Sequence, residues 1–397
     1  MPADVNHNYM NPEIFNDYRP YCDEEINPAM KRISEDKYFP LLAGFIFPGM
    51  KTGEVSEMFH NLTTIYQFQS QVMSVFNEQV IKRSISKFSV EGIDGLDANK
   101  RYLFVSNHRD IVLDSSLLQY ALHTANHHTT EITFGSNLMV GQLVIDIGKS
   151  NKMFKLVRGG SPKEMYANSL HLSQYIRHTI LEKQESVWIA QRNGRTKNGI
   201  DTTDQGLIKV FYMGSPDNPA KAVAELNIVP VSISYQWESC DILKTIELYQ
   251  SRNDKYIKKP DEDLHSILTG INQPKGDVHI HIGKPISEND LSPYSSLPNN
   301  KFNRQVASLI DKQVIANYKL SCNNYIAHDI RSRSSQYAGK YTPEEKDLFL
   351  QHLQKLDEYE VSDKHALTDI FLGIYANPVD AKECISKTIV IINKFFI

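Results

Sequence analysis

Three short polar segments hold the residues from which chemistry can be built: Asn107-His108-Arg109-Asp110, Arg158-Gly159-Gly160, and Gln191-Arg192-Asn193-Gly194-Arg195-Thr196-Lys197. A neutral imidazole at His108 can take a proton from a hydroxyl as that oxygen attacks a carbonyl, because its ordinary pKa lies near neutrality. Such a base needs a carboxylate to fix its tautomer and to stabilise the imidazolium that forms, and both Asp110 and Asp114 follow closely enough to serve. Alone, a His-Arg-Asp triplet reads as a loop residue followed by a helix cap, so the chemical reading rests on the other two segments. After Arg158, the paired glycines allow close approach of backbone to a ligand, and the helix expected from Ser161-Pro162 offers unpaired N–H groups and a dipole to an anion. Arg192, Arg195 and Lys197 surround Gly194, and guanidinium forks match phosphate oxygens. Gathered at one place, the three segments would set a base against an anionic substrate.

What could gather them is the pattern around them. Runs of β type are expected at Tyr102–Ser106, Glu131–Phe134, Phe154–Val157, Val187–Ala190, Ile228–Tyr235 and Val278–Ile282, and each polar segment directly follows one of them. Helical runs intervene, among them Ser115–His123 and Pro162–Glu182, the latter with a Ser161-x-x-Glu164 capping box and proline in its first turn. Strands separated by helices of this length imply an α/β fold with a mostly parallel or mixed central sheet flanked by helices. In a parallel sheet all three segments lie at the carboxyl edge, where open α/β folds place their ligands.

On either side the pattern is helical. Residues 1–95 read as a helical N-terminal region, 96–297 as the α/β domain and 298–397 as a helical C-terminal extension. In the first, Glu54–Ser84 contains no Gly or Pro and repeats apolar residues at three- and four-residue spacing, so it reads as helical. In the last, helices are expected over Phe302–Leu320, Lys346–Tyr359 (capped at Thr342-Pro343), Lys364–Tyr375 and Val379–Phe395, as a packing or dimerisation layer. The polar stretch Tyr249–Pro274 reads as a surface insertion.

Composition bounds the partners. The chain of 397 residues is 41% hydrophobic and 23% charged, which suits a folded protein with a real core. A formal net charge of −4 argues against bulk binding of nucleic acid, and the aromatic residues form no stacking motif. Cys22, Cys240, Cys322 and Cys384 show no Cys-x-x-Cys spacing, so neither a zinc site nor a disulfide framework is expected and the reduced cytoplasm is the simplest setting. Met1 to Pro20 is polar and acidic and does not read as a signal peptide. The apolar run Phe39–Met50 is shorter than the ~20 residues a spanning helix needs; it reads as a buried segment, or as a surface anchor exposing Phe45 and Phe47. His279 and His281 share one side of a strand, a spacing that can serve a metal, but the sequence supplies no evident third ligand and they are read as strand-face residues. His127-His128 reads as a solvated helix end.

The three segments and one later strand, in this order, resemble the four blocks of the glycerol-3-phosphate and lysophosphatidate (1-acylglycerol-3-phosphate) acyltransferase superfamily, over roughly residues 85–290. The His-x4-Asp block is similar to His108 through Asp114, the aromatic-hydrophobic run ending in arginine to Met153–Arg158, the Glu-Gly-x-Arg block in part to Asn193-Gly194-Arg195, and the proline-centred strand to Ile228–Ile233. The wider chain resembles a Bacteroidetes-type bacterial branch of that superfamily. The resemblance implies transfer of a fatty acyl group from acyl-CoA or acyl carrier protein to a glycerol-phosphate or lysophosphatidate hydroxyl, in phospholipid biosynthesis at the inner membrane surface, without metal or cofactor. It implies His108 as base, Arg158 and Arg195 on the acceptor phosphate, and Pro230 shaping the pocket. The departures are specific. Asp114 lies six residues after His108 and Asp110 two, where the family has five; Asp114 is favoured, because the apolar helix at Leu117-Leu118 then matches the family with one inserted residue. Arg195 follows Gly194 directly, and Asn193 stands where the family carries glutamate. A neutral amide cannot act as a carboxylate, so a second reading is a lipid- or phosphate-binding homologue with impaired catalysis, and a third is acyl transfer to a non-glycerol acceptor.

Overall fold

The computed structural model describes residues 12–252, 256–259 and 261–395, so Met1 to Asn11 of the polar N-terminal stretch lie outside it. Seven strands are formed: β1 (Ile85–Glu91), β2 (Leu103–Ser106), β3 (Glu131–Gly135), β4 (Met153–Leu156), β5 (Val187–Ala190), β6 (Ile228–Tyr235) and β7 (Gly276–Ile282). All six expected strands are present, and they join β1 in one sheet of order β1-β7-β6-β2-β5-β3-β4. From β6 to β4 the neighbours are parallel, whereas β7 runs antiparallel to β6 and carries β1 parallel to itself. The sheet is therefore mixed and mostly parallel. The segments after β2, β4 and β5 all leave it at the same edge.

Five helices precede the sheet: α1 (Asp23–Glu35), α2 (Phe39–Ile46), α3 (Thr52–His60), α4 (Ile65–Phe68) and α5 (Ser74–Ser84), the last two joined by a π-turn, Gln69–Met73. Between strands lie α6 (Leu113–Thr124), α7 (Gln142–Ser150), α8 (Pro162–Arg177), α9 (Gln205–Met213), α10 (Pro219–Ala224), α11 (Asp241–Gln250) and α12 (Glu262–Asn272). After β7 come α13 (Glu288–Leu291), α14 (Asn299–Asn317), α15 (Cys322–Ser332), α16 (Pro343–Leu353) and α17 (Lys364–Phe395). Central strands bury both faces, as a sheet covered on both sides must. Leu103, Val105 and Ile189 pack with α8, α9 and α14, whereas Phe104, Trp188 and Val229 pack with α5 and α6. A third cluster holds α1 to α4 together and includes Leu143 and Ile147 of α7. There the buried Asp146 accepts from Tyr21 Oη (2.7 Å) and pairs with Arg32 (2.7 Å).

Several expectations are corrected. The run Glu54–Ser84 is not continuously helical: it breaks after His60, because Thr64 and Gln67 form a capping box that starts a new helix. Nor does the helical N-terminal region extend unbroken to residue 95. Strand β1 follows α5 without a turn residue, and only pairing with β7 marks it as a strand. At the other end, the two expected C-terminal helices are a single helix, α17, that continues through Pro378. Proline lacks the N–H that would bond the carbonyl of Ile374. The chain at Gly199 comes down on that carbonyl, so closely that a Cβ there would lie 2.2 Å from the oxygen. Phe45 and Phe47 do not form an outward patch: both are partly buried in the N-terminal cluster, and Phe45 packs on Phe76 and beneath Arg83. The outward apolar side chains of this stretch are Tyr38, Leu41 and Met50. Among the described residues no helix is long and apolar enough to cross a membrane.

Candidate active site

Strand β2 delivers its loop under tight backbone control. Asn107 is fully buried; its side-chain amide donates to Ile233 O (2.9 Å) and accepts from Ile233 N (2.8 Å), stapling the end of β2 to β6. The next residue, His108, is mostly covered, with 12% of its side chain exposed, and its Nδ1 lies 2.9 Å from Asp114 Oδ2. Asp114, in the first turn of α6, is fully buried and also accepts from Arg109 N (2.6 Å), Asp110 N (2.9 Å) and Tyr235 Oη (2.8 Å). A carboxylate ringed by donors accepts from Nδ1–H as well, which leaves Nε2 as the basic nitrogen. Burial, and then the Asp114 charge, hold the Tyr235 phenol well above its ordinary pKa, so it stays a donor.

The two aspartates thus separate by geometry. Asp110 is not the partner of His108: its Oδ1 accepts from Val112 N and Leu113 N, both at 2.8 Å, capping α6, and its Oδ2 accepts from Ser239 Oγ. Gly270 of α12 packs directly on it, since a Cβ at that position would lie 2.3 Å from Asp110 Oδ2. The stretch Tyr249–Pro274 is consequently not a mere surface insertion. Its described part contains α12, whose Asp263, Leu264, Ile267 and Ile271 line the cavity described below.

Arg109 turns inward. It is fully buried, with Nη2 on Asp201 Oδ2 (2.6 Å) and Nη1 on Glu238 Oε2 (3.2 Å), while its carbonyl accepts from Lys244 Nζ (2.7 Å). Burial opposes the charge, but the two carboxylates outweigh it and hold the guanidinium well above its ordinary pKa. Glu238 and Asp241 are in turn held by the C-terminal extension: Tyr375 Oη donates to Asp241 Oδ2 (2.6 Å) and accepts from Glu238 N (3.1 Å), and His352 Nε2 lies 2.7 Å from Asp241 Oδ2. These supports, Tyr235, Asp201, Glu238, Asp241 and Tyr375, carried no sequence signal, because each lies ninety or more residues from the loop it holds.

A cavity of about 920 Å³ opens beside His108, within the usual size range of small-molecule sites. One arm is apolar and runs between the N-terminal helices, lined by Phe39, Ile46, Phe59, Phe68, Val72 and Phe76. The other end carries Arg158, Arg192, Asn193, Gly194, Arg195 and Lys197, so the three polar segments do converge. The cations there differ in their pairing. Lys197 is held by Glu247. Arg195 Nη2 donates to Ser266 Oγ (3.3 Å), while its Nη1 is buried with no hydrogen-bond partner among the described residues. Arg158 is exposed at the mouth of the cavity, yet the protein around it displaces enough water to pull its pKa below the ordinary value, with Asp263 partly opposing. Two expected contributors are placed elsewhere. The start of α8 is already capped by the carboxylate of Glu164, which accepts from Ser161 N (2.7 Å), and Ser161 is exposed and does not line the cavity. Pro230 is buried within β6 and is also not among the lining residues.

Comparison with known proteins adds three findings. No curated protein matches the chain. Among solved structures it is similar to the 1-acyl-sn-glycerophosphate acyltransferase PlsC of Thermotoga maritima, at 13% identity and a TM-score of 0.37, over 74% of this chain and 97% of that one. The Bacteroidetes-type branch expected from the sequence finds no support in these comparisons. The third is a family match, and it falls on the site itself: residues 87–234, which include His108, Asp114 and the arginines of the cavity's polar end, match the Acyltransferase family.

Proposed function

We propose that this protein is an O-acyltransferase that moves a fatty acyl group from acyl-CoA or acyl carrier protein to the hydroxyl of a glycerol-phosphate or lysophosphatidate acceptor. One observation carries the reading: His108, with Nδ1 on Asp114, lines a single cavity together with apolar side chains of the N-terminal helices and a cluster of arginines. In this reading the acyl chain occupies the arm between the N-terminal helices, and Arg158, Arg192 and Arg195 receive the acceptor phosphate. His108 Nε2 takes the proton of the acceptor hydroxyl as its oxygen adds to the thioester carbonyl. Asp114 stabilises the imidazolium that results. Collapse of the tetrahedral intermediate breaks the C–S bond, and the imidazolium returns its proton to the departing thiolate. The test is incubation of the purified chain with each donor and a panel of glycerol and non-glycerol acceptors, with products identified by mass. Wild type should consume thioester and glycerophosphate together. His108→Ala should abolish turnover with an unchanged circular dichroism spectrum.

Asn193 favours a second reading, a lipid- or phosphate-binding homologue with impaired catalysis, because it lines the cavity where a carboxylate would be expected. Asn193→Glu separates the two: an inert wild type whose turnover this change restores would establish the binding protein. The third reading, transfer to a non-glycerol hydroxyl or an amine, is an outcome of the same panel.

An acyl product and the outward Tyr38, Leu41 and Met50 suggest a peripheral place on the cytoplasmic face of a membrane. Leu41→Asp should then reduce co-sedimentation with phospholipid vesicles; wild-type protein that never sediments with them would rule this out.

A further inference from the structure

Away from the cavity, β1 and β7 bring together three side chains that the proposed acyl transfer does not use. The parallel register pairs Ser89 with His279 and Glu91 with His281. Glu91 Oε2 lies 3.6 Å from His281 Nδ1 and 3.9 Å from His279 Nε2, and the three donor atoms all fall within 4.8 Å of one another. Among the described residues this is the one cluster of three or more His, Cys, Asp or Glu donors so close. None of the three lines the cavity.

We propose that Glu91, His279 and His281 form a site for a divalent transition metal of the zinc class. The spacing fits. With bonds of about 2.1 Å, tetrahedral ligands stand about 3.4 Å apart, so the Glu91 carboxylate must close on each imidazole by about half an ångström or less, and the partly exposed His281 must swing toward His279 by up to about 1.4 Å. Two imidazoles and one carboxylate, with a fourth position facing solvent, suit zinc, cobalt or nickel; magnesium and calcium call for oxygen ligands throughout. His279 is oriented for the task. It is 4% exposed, and its Nδ1 is 2.8 Å from Ser89 Oγ, a hydrogen bond that fixes the ring and directs Nε2 at the other two ligands. Burial, followed by the charge of Lys319, lowers its pKa and favours the neutral ring that metals bind, with Glu91 opposing and Lys382 adding a smaller push. Those two lysines also repel a cation. Lys319 is exposed and can swing away, and Lys382 Nζ is engaged by Tyr318 O (2.7 Å), so the site is expected to bind at micromolar rather than nanomolar levels. Bound metal would tie the end of β1 to β7.

The test uses the full chain, free of any polyhistidine tag and stripped by chelator, titrated with Co²⁺ and followed by visible absorption. Expected are d–d bands that saturate at one equivalent, vanish on addition of Zn²⁺, and persist in about millimolar Mg²⁺. Glu91→Gln and His281→Ala should each weaken binding at least about tenfold, and Ser89→Ala, through the His279 ring, by a similar factor. Glu91 is exposed, so Glu91→Gln keeps the test valid should His281→Ala fail to fold. No saturable binding below about 100 µM, or binding that Glu91→Gln leaves unchanged, would overturn the proposal.

Discussion

His108 and Asp114 illustrate how much of a site is decided by a single carboxylate. Asp114 collects hydrogen bonds from two backbone amides, the Tyr235 hydroxyl and His108 Nδ1, so its charge is distributed over fixed donors before any substrate arrives. Replacing it with an amide would point an NH2 group at one of these donors and favour the wrong imidazole tautomer. Asp114→Asn should therefore lower kcat by roughly four orders of magnitude, as for a catalytic-triad aspartate, with a smaller change in KM, measured with the donor and acceptor found in the panel assay. By contrast, Asp110→Asn should preserve most activity, because Asp110 caps α6 and bonds Ser239 rather than His108. Its cost belongs to stability, about 1 kcal/mol for the hydrogen bond from Ser239 that an amide NH2 cannot accept, read as a lower urea midpoint. A larger loss of kcat from Asp110→Asn than from Asp114→Asn would reverse the assignment.

At the scale of elements, the cavity is a joint product of the N-terminal helices and the sheet edge. Phe68 and Val72, from α4 and the π-turn after it, face the same space as His108, so the arm's depth is set by helices outside the α/β core. Val72 is buried with its side chain on the cavity wall. Val72→Phe should shorten the arm and lower kcat/KM for long-chain thioesters at least about tenfold relative to short-chain ones, on the scale of a few methylenes excluded from a pocket. Equal effects on both chain lengths would remove the acyl chain from this arm. The C-terminal extension works through a different element. Tyr375 of α17 holds Asp241 and Glu238, and Glu238 holds Arg109 beside His108. Tyr375→Phe leaves the Asp241 carboxylate short of a buried donor and should destabilise the fold by about 1–3 kcal/mol, seen in equilibrium denaturation.

For the molecule as a whole, buried titratable groups set how stability responds to pH. Burial lowers the Lys275 pKa from 10.5 to about 8, its ammonium being held by Ser84 Oγ and two carbonyls among the described residues. The unfolded chain then binds more protons than the folded one between these values, so stability should rise as pH increases from about 8 toward 10. Above that range the buried tyrosines reverse the trend: Tyr235, Tyr318 and Tyr375 have pKa values raised by burial, and folding opposes their ionisation. Lys275→Met should flatten the rise between pH 8 and 10, as followed by Tm; an unchanged slope would assign it to other groups. The same distinction between local and distant contacts explains what could be read without a structure. Ser161-Pro162-Glu164, the run Ile228–Tyr235, and the polar segments that follow β2, β4 and β5 are local signals, written in neighbouring residues, and they determined the α/β order and the carboxyl-edge grouping of His108 with the arginines. Between Asp110 and Asp114 the sequence block favoured the latter, and the structure puts it on His108; tertiary structure alone decided that α12 packs on Asp110, that β1 pairs with β7 and sets Glu91 beside His281, and that helices far upstream wall the apolar arm. These contacts are closed by packing and pairing between residues far apart in the chain, where no short-range spacing records the partner.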